Sequence, residues 1–255
     1  MILPCDAVLF DVDGTLIDST PLVEEAARQW APGYGIDPDE FLADAHGRRT
    51  ADRVADFLPP DRVAAASAHF EALEDALTDG IAPLPGAVDL LAGMSGPSCA
   101  FVTSMHRAQL EKRIEAAGIP LPPVAVTADD VGRGEPDPSG YRQAARRLGV
   151  DPARCVLVED APAGVAAGRA AGAVVLAVLT SHPPQELTAA DHVVENLTRV
   201  TAAPEGLRLA GWADDGGRAR APAWRCSHRA GMRGVADWLP SMNACSGVGE
   251  IPNRR

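Results

Sequence analysis

Residues 7–16 read AVLFDVDGTL, and this stretch decides the fold. Four apolar residues in succession are typical of a strand that is buried on both faces of a parallel sheet. The strand delivers two carboxylates, Asp11 and Asp13, into a turn that begins at Gly14. In open α/β sheets the ligand crevice lies at the carboxyl ends of the strands, so we expect both acids to line a functional site. The alternative is a plain strand-ending turn, because Asp and Gly are common turn residues.

Three further apolar runs end in polar residues, at 100–104 (AFVTS), 124–127 (VAVT) and 156–160 (VLVED). Helical stretches at 107–117, 140–148 and 163–171 separate or follow them. Strands that alternate with helices predict a parallel α/β sheet, which brings the carboxyl ends of its strands to one edge. The cluster expected at that edge comprises Asp11, Asp13, Thr103, Ser104, Glu159 and Asp160.

Two neighbouring carboxylates repel each other unless a cation compensates for their charge. A divalent cation is the simplest compensation. Gly14 would let the backbone approach a ligand closely and point N–H groups at an anion. A calcium loop is a poorer match, because its glycine occupies the sixth position of a loop flanked by helices.

Four ordered segments resemble the haloacid dehalogenase-like hydrolase superfamily, most of whose members are phosphatases. Residues 11–15 are similar to the first motif of that family, Thr103 to the second and residues 159–160 to the fourth. The segments that resemble small sugar-phosphate phosphatases are 46–50 (HGRRT), 83–86 (PLPG) and 159–164 (EDAPAG). The resemblance covers about residues 5–200. It implies a Rossmann-like parallel sheet core with helices on both faces and an inserted α-helical cap domain.

The resemblance also implies a mechanism and a set of site residues. Asp11 would attack phosphorus, and Asp13 would serve as general acid and then as general base. Mg²⁺ would be held by Asp11, by the backbone carbonyl of Asp13 and by Asp160, with Glu159 behind them. The residues expected to bind phosphate are Gly14, Thr103, Ser104 and Arg133.

One family residue is missing, because Glu135 stands where the third motif carries a lysine before Pro-Asp-Pro. The only lysine of the chain, Lys112, lies in a helical run and is expected on a solvated face. Arg133 is the nearest substitute cation in the sequence. A unit charge pair at about 4 Å and an effective dielectric near 20 is worth on the order of 4 kcal/mol. We therefore expect reduced phosphatase activity, with complete loss as the rival.

Residues 20–82 show helical spacing and no strand alternation, so we expect a helical cap inserted into a core formed by residues 1–19 and 83–200. The cap loop at 46–50 carries His46 and two arginines, which suits a hydroxyl-rich or anionic substrate. Arg49 is the cap residue we expect to face that substrate, and a solvated helix start is the alternative.

Composition limits the partners and the location that we expect. The net charge of −12 argues against nucleic acid as a partner. The longest apolar stretch is too short to span a membrane, and the amino terminus lacks the pattern of a signal peptide, so we expect a cytoplasmic protein. Residues 201–255 carry a net charge of +3 from eight arginines and five acids, and we interpret them as a disordered or non-family tail.

Three functions remain open at this point. The first is a Mg²⁺-dependent phosphatase of small phosphorylated sugars or polyols, a monomer or weak dimer, weakened by Glu135. The second is a protein on the same fold that binds a phosphorylated metabolite or a metal without turnover. The third is a sugar phosphomutase, which would keep the same two acids, Asp11 and Asp13.

Overall fold

A computed structural model describes residues 1–43, 47–77, 79–94 and 98–210 of the chain. In chain order the strands are β1 (Ile2–Pro4), β2 (Ala7–Phe10), β3 (Ile17–Asp18), β4 (Ala82–Pro83), β5 (Ser98–Val102), β6 (Val124–Val126), β7 (Cys155–Glu159), β8 (Val174–Val178), β9 (His192–Val194), β10 (Val200–Ala203) and β11 (Gly206–Leu209). The α-helices are α1 (Thr20–Trp30), α2 (Pro38–Leu42), α3 (Thr50–Ala55), α4 (Pro60–Ala76), α5 (Ala87–Ala92), α6 (Arg107–Ala116), α7 (Ser139–Leu148) and α8 (Pro162–Ala171). Within the described ranges, no helix is long and apolar enough to cross a membrane.

Six strands form a sheet in the order β6-β5-β2-β7-β8-β9, and every neighbouring pair is parallel. The predicted parallel α/β sheet is therefore confirmed. From β2 the chain builds the sheet outward first through β5 and β6, and then on the other side through β7, β8 and β9. A crevice opens where the order reverses in this way, at the carboxyl end of β2.

Helices cover both faces of this sheet. Successive side chains of β2 point to opposite faces and pack against different helices. Leu9 packs with Tyr141 of α7 in one buried layer. Phe10 belongs to the opposite layer, with Leu110 of α6, and meets Phe101 edge-on at 6.4 Å between ring centroids. Because both layers are fully buried, β2 is fixed in position from two sides, and so is the turn that follows it.

Between β3 and β4 the described residues form the helices α1 to α4, as the helical spacing predicts. The two linkers pair as a short antiparallel ribbon, with Ile17 opposite Pro83, which the sequence did not indicate. The helices share their own aromatic core. Trp30 contacts Phe41 and Phe70 there, at 4.7 and 5.5 Å between ring centroids.

We expected the core to end at residue 200, whereas β10 continues past that residue and β11 lies wholly beyond it. β11 is the central strand of an antiparallel sheet, between β10 and the amino-terminal β1. Leu207 and Leu209 are buried by this pairing. A contact across some two hundred positions leaves no local sequence signal. Residues 211–255, the rest of the predicted tail, lie outside the described residues.

Replacement of Leu207 tests whether this terminal strand belongs to the folded core. Leu207 is completely buried, whereas Arg208 beside it is exposed. We expect Leu207→Ala to lower the free energy of urea unfolding by about 2–5 kcal/mol. The control Arg208→Ala should change it by less than about 0.5 kcal/mol. Equal effects from both substitutions would contradict the assignment of β11 to the core.

Candidate active site

The carboxyl ends of two adjacent strands, β2 and β7, bring three of the predicted acids together. Asp11 follows β2, and its backbone N–H donates to Val158 at 3.0 Å, which fixes it beside β7. Glu159 ends β7, and Asp160 follows it. Carboxylate oxygens of Asp11, Glu159 and Asp160 lie within 4.8 Å of one another, and all three residues are buried. Thr103 lies at the neighbouring end of β5, so this part of the expected cluster is present.

Burial and mutual repulsion make this group of acids unfavourable as free carboxylates. Burial raises the pKa of Asp11 well above its usual value, and the charges of Glu159, Asp160 and Glu135 raise it further. The pKa of Glu159 is raised in the same way, by burial first and then by Asp160 and Glu135. A divalent cation would relieve both effects, and carboxylate oxygens are ligands that Mg²⁺ accepts. The residues present therefore fit a magnesium ion, with Glu159 inside the cluster and not behind it.

Side chains from two loops orient Asp160. The hydroxyl of Thr15 donates to Oδ1 at 3.0 Å, and the hydroxyl of Ser181 donates to Oδ2. Gly14 packs so closely on this carboxylate that a Cβ atom would lie 2.2 Å from Oδ2, at a backbone φ of +85°. The N–H of Gly14 donates to Ile17 at 2.8 Å. The N–H group of Gly14, which we expected to bind phosphate, is thus engaged within the turn in this structure.

Asp13 does not point into the acidic cluster. Its Oδ1 accepts hydrogen bonds from Ser19 at 2.5 Å and from Arg113 at 2.8 Å. Arg113 also pairs with Glu74 of α4 at 3.2 Å, and Gln109 donates to Glu74 at 2.9 Å. The side chains of Arg113 and Glu74 are each only 5% exposed. A buried arginine of the core thus links Asp13 to a helix of the expected cap.

Sequence reasoning missed Arg113 and Gln109, although a signal for them existed. The two residues are four positions apart and so lie on one helix face. That face adjoins the buried Leu110 and Ile114. Polar residues next to an apolar stripe are more often solvated than buried, so this pattern alone would not have singled them out.

Glu135 lies against the same cluster, held by a tyrosine that the sequence analysis did not consider. The Tyr141 hydroxyl donates to Oε1 of Glu135 at 2.8 Å and lies 3.4 Å from an oxygen of Glu159. Burial is the largest influence on Glu135 and raises its pKa to about 7; Tyr141 opposes the rise, Asp160 adds to it and Arg49 opposes it. Burial also raises the pKa of Tyr141 well above its usual value, so this hydroxyl stays a donor.

Two further predicted phosphate ligands lie elsewhere than expected or are already engaged. The side chain of Arg133, expected at the phosphate site, is 83% exposed in this structure and pairs with Asp137 at 3.3 Å. Ser104 lines the pocket, but its hydroxyl donates to the carbonyl of Gly47 at 2.9 Å. That bond ties the core to the cap loop. His46 lies outside the described residues.

The pocket above Asp11 is lined from both the core and the inserted helices. Its lining on the side of the inserted helices includes Arg48, Thr50, Arg53 and Glu74. Arg49 is absent from that lining, and its Nη2 donates to the carbonyl of Val131 in the core at 2.8 Å. Arg49, which we expected to face the substrate, therefore lies outside the pocket lining in this structure, whereas its neighbour Arg48 is part of that lining.

Comparisons with known proteins agree with this geometry. A sequence profile of the haloacid dehalogenase-like hydrolases matches residues 5–172, which include β2, β5 and β7. Hexitol phosphatase A of Escherichia coli K12 is 42% identical over 202 residues, which cover 77% of this chain and 94% of the relative. Validoxylamine A 7′-phosphate phosphatase of Streptomyces hygroscopicus subsp. limoneus is 34% identical, over 75% of this chain and 94% of its own. The crystal structure of CbbY from Rhodobacter sphaeroides in complex with phosphate matches with a TM-score of 0.67 at 28% identity, over 76% of this chain and 95% of its own.

The link between Arg113 and Glu74 predicts a large and non-additive loss of stability. We expect Arg113→Met to lower the free energy of urea unfolding by about 3–5 kcal/mol, because it leaves a buried carboxylate without its cation. Adding Glu74→Leu should recover part of that loss. The control Arg146→Met removes an exposed arginine that donates to Gln143, and it should cost less than about 0.5 kcal/mol. Simple additivity of Arg113→Met and Glu74→Leu would contradict the link.

Proposed function

The chain belongs to the haloacid dehalogenase-like hydrolase family, and on that premise we propose that it is a Mg²⁺-dependent phosphatase of small phosphorylated sugars or polyols. One observation carries the proposal. The buried Asp11 lines the pocket and lies with Glu159 and Asp160 at the carboxyl end of the central strand. A relative at 42% identity is named hexitol phosphatase A, so phosphates of sugar alcohols are the first substrates to test.

The acidic cluster would hold the cation. Asp11, Glu159 and Asp160 supply carboxylate oxygens, and the backbone carbonyl of Asp13 is a further candidate ligand. When bound, Mg²⁺ would neutralise the charge that develops on the phosphoryl oxygens and on the nucleophile. Thr15 and Ser181 keep Asp160 in place for this purpose. These bonds act on a ligand without touching the cation, as outer partners of metal ligands commonly do.

Asp11 would act as the nucleophile. A bond forms between its carboxylate oxygen and phosphorus while the bond from phosphorus to the sugar oxygen breaks, which gives an aspartyl phosphate and an alkoxide. Asp13 would give the alkoxide a proton. Ser19 and Arg113 both bind Oδ1 of Asp13. Its Oδ2 accepts no hydrogen bond in the part of the chain that the structure describes, which leaves that oxygen for proton transfer.

Hydrolysis of the aspartyl phosphate completes the cycle. A water molecule attacks phosphorus, Asp13 takes its proton, and the bond to Asp11 breaks to release phosphate. Thr103 lines the pocket at the end of β5 and would bind the phosphoryl oxygens together with backbone N–H groups. The cap helices cover the pocket and would exclude bulk water from the reaction.

The lining of the pocket supports a hydroxyl-rich substrate. Arg48 carries hydrogen-bond donors, and the Thr50 hydroxyl can both donate and accept. A polyol presents several hydroxyl groups that pair with such a mixture. Sites of this kind reject analogues that lack a hydroxyl, because a buried polar group is then left unpaired.

A second function, binding without turnover, is favoured by Glu135. This carboxylate stands where related enzymes are expected to carry a lysine, and Asp160 adds to the rise of its pKa. An additional negative charge near the phosphate would oppose attack by an anionic nucleophile. In that case the pocket would bind a phosphorylated ligand or magnesium and release no product.

Phosphate release from a panel of sugar-alcohol and sugar phosphates with Mg²⁺ separates the two functions. We expect turnover by the wild type and a loss of at least about 10³-fold in Asp11→Asn, which removes the nucleophile. The control Asp18→Asn alters a carboxylate that bonds the backbone of Thr20, and should retain activity within about threefold. Beryllofluoride should raise the melting temperature of the wild type and not that of Asp11→Asn. A wild type that is stabilised by phosphate but releases none would support binding and contradict the phosphatase.

A further inference from the structure

The carboxylate of Glu135 has no compensating cation among the described residues of the core. Its Oε1 is bonded to Tyr141, but its buried Oε2 has no hydrogen-bond partner among the described residues. The only lysine of the chain, Lys112, donates to the carbonyl of Asp75 in α4. Arg133, the nearest arginine in sequence, is mostly exposed. When this carboxylate is ionised, a compensating cation would therefore have to come from another part of the fold.

The loop that enters α3 lies directly against Glu135. A Cβ atom on Gly47 would come within 3.2 Å of the unpaired Oε2. A Cβ atom on Gly134 would come within 2.8–2.9 Å of Cγ, Cδ and Nε of Arg49, so the arginine lies on the backbone that immediately precedes Glu135. Only glycine at position 134 leaves room for that contact. Residues 47–49 thus contact the Glu135 segment at two points.

Arg49 is held in this position and remains incompletely paired. Its Nη2 donates to Val131 at 2.8 Å, which anchors the guanidinium to the loop that carries Glu135. Its Nε is buried and has no hydrogen-bond partner within the described ranges. The buried Nε of Arg49 and the buried Oε2 of Glu135, neither of which has a hydrogen-bond partner among the described residues, therefore lie on the two sides of one contact between loop and core.

We propose that Arg49 supplies a positive charge that the core lacks because Glu135 stands in the place of a lysine. This charge comes from the inserted helical region. In this arrangement Arg49 is a positioning residue: it touches neither the nucleophile nor the pocket, and acts by compensating Glu135. The charge of Arg49 opposes the rise in the pKa of Glu135 that burial and Asp160 cause. The inference rests on the proposed phosphatase function for its catalytic consequence, but not for the charge pairing itself.

The consequence is that the electrostatics of the site depend on the position of the inserted helices. Withdrawal of residues 47–49 would leave Glu135 beside Asp160 and Glu159 without a nearby arginine. Docking of the loop, held by the bond from Ser104 to Gly47, would restore the compensating charge. A lysine in the core would compensate the charge whether the loop is docked or withdrawn. In this chain, by contrast, the compensating charge would be present only when residues 47–49 are docked.

Charge reversal at position 135 tests the pairing. We would compare the wild type, Arg49→Gln, Glu135→Lys and the double variant, by kcat/KM for a hexitol phosphate and by the urea midpoint of unfolding. With Glu135 present, Arg49→Gln should lower kcat/KM at least about tenfold, mainly through kcat, and lower the urea midpoint. In the Glu135→Lys background, the same substitution should leave both unchanged or raise them, because two cations would otherwise face each other. This reversal is a result that a purely structural role of Arg49 would not give.

Arg48 provides the matched control. It is the same residue type in the same loop, but it pairs with Asp56 at 2.8 Å within the inserted helices. Arg48→Gln should change kcat/KM and the urea midpoint by the same amount in the wild type and in the Glu135→Lys background. If Glu135→Lys does not fold, Glu135→Gln replaces it as the background. The loss of kcat/KM caused by Arg49→Gln should then be at least about tenfold smaller than in the wild type.

Failure of this inference can be distinguished from failure of the proposed function. If no variant turns over, the phosphatase proposal fails, but the unfolding midpoints still report the pairing. An Arg49→Gln effect on the midpoint of equal size and sign in both backgrounds would overturn the inference. A reversal of sign in the midpoint alone would support the pairing and would limit it to stability.

Discussion

Repulsion among buried carboxylates is the constraint on which the rest of this structure depends. Asp11, Glu159 and Asp160 meet at the carboxyl end of β2 because parallel pairing brings the ends of β2 and β7 side by side. Glu135 adds a fourth acid, with a pKa raised to about 7. In a low-dielectric site such a group is tolerable only when it is protonated or when cations compensate for its charge. The protein provides the place for a divalent ion and two arginines nearby.

The two arginines reach the acids from different parts of the fold. Arg113 extends from a core helix and joins Asp13 to Glu74 of α4. Arg49 extends in the other direction, from the inserted helices onto the core loop beside Glu135. Each link crosses between the core and the inserted helices, so the same few side chains contact the acids and join the two regions.

The sequence predicted the parts of the site that depend on local order along a strand. Asp11, Thr103 and Asp160 each follow an apolar run, and parallel pairing brings such positions together. Residues whose role depends on distant contacts were not predictable in this way. Arg113 reads as a solvated helix residue until α4 is placed against it, and the direction of Arg49 is set by its contact with the distant Gly134. The pairing of β1 with β11 was not predicted either, because the two strands are far apart in the sequence.

Proton release on magnesium binding reports whether the acidic cluster is protonated when no metal is bound. Burial raises the pKa of Glu135 to about 7 and raises the pKa values of Asp11 and Glu159 in the same direction, so we expect Mg²⁺ to displace protons from the site at about pH 6. Titration calorimetry in two buffers with different ionisation enthalpies gives the number of protons released. The account predicts clear release at about pH 6, and less as the pH rises past the pKa of Glu135, about 7. Binding of Mg²⁺ at about pH 6 without release of protons would mean that the acids are already ionised, and would contradict it.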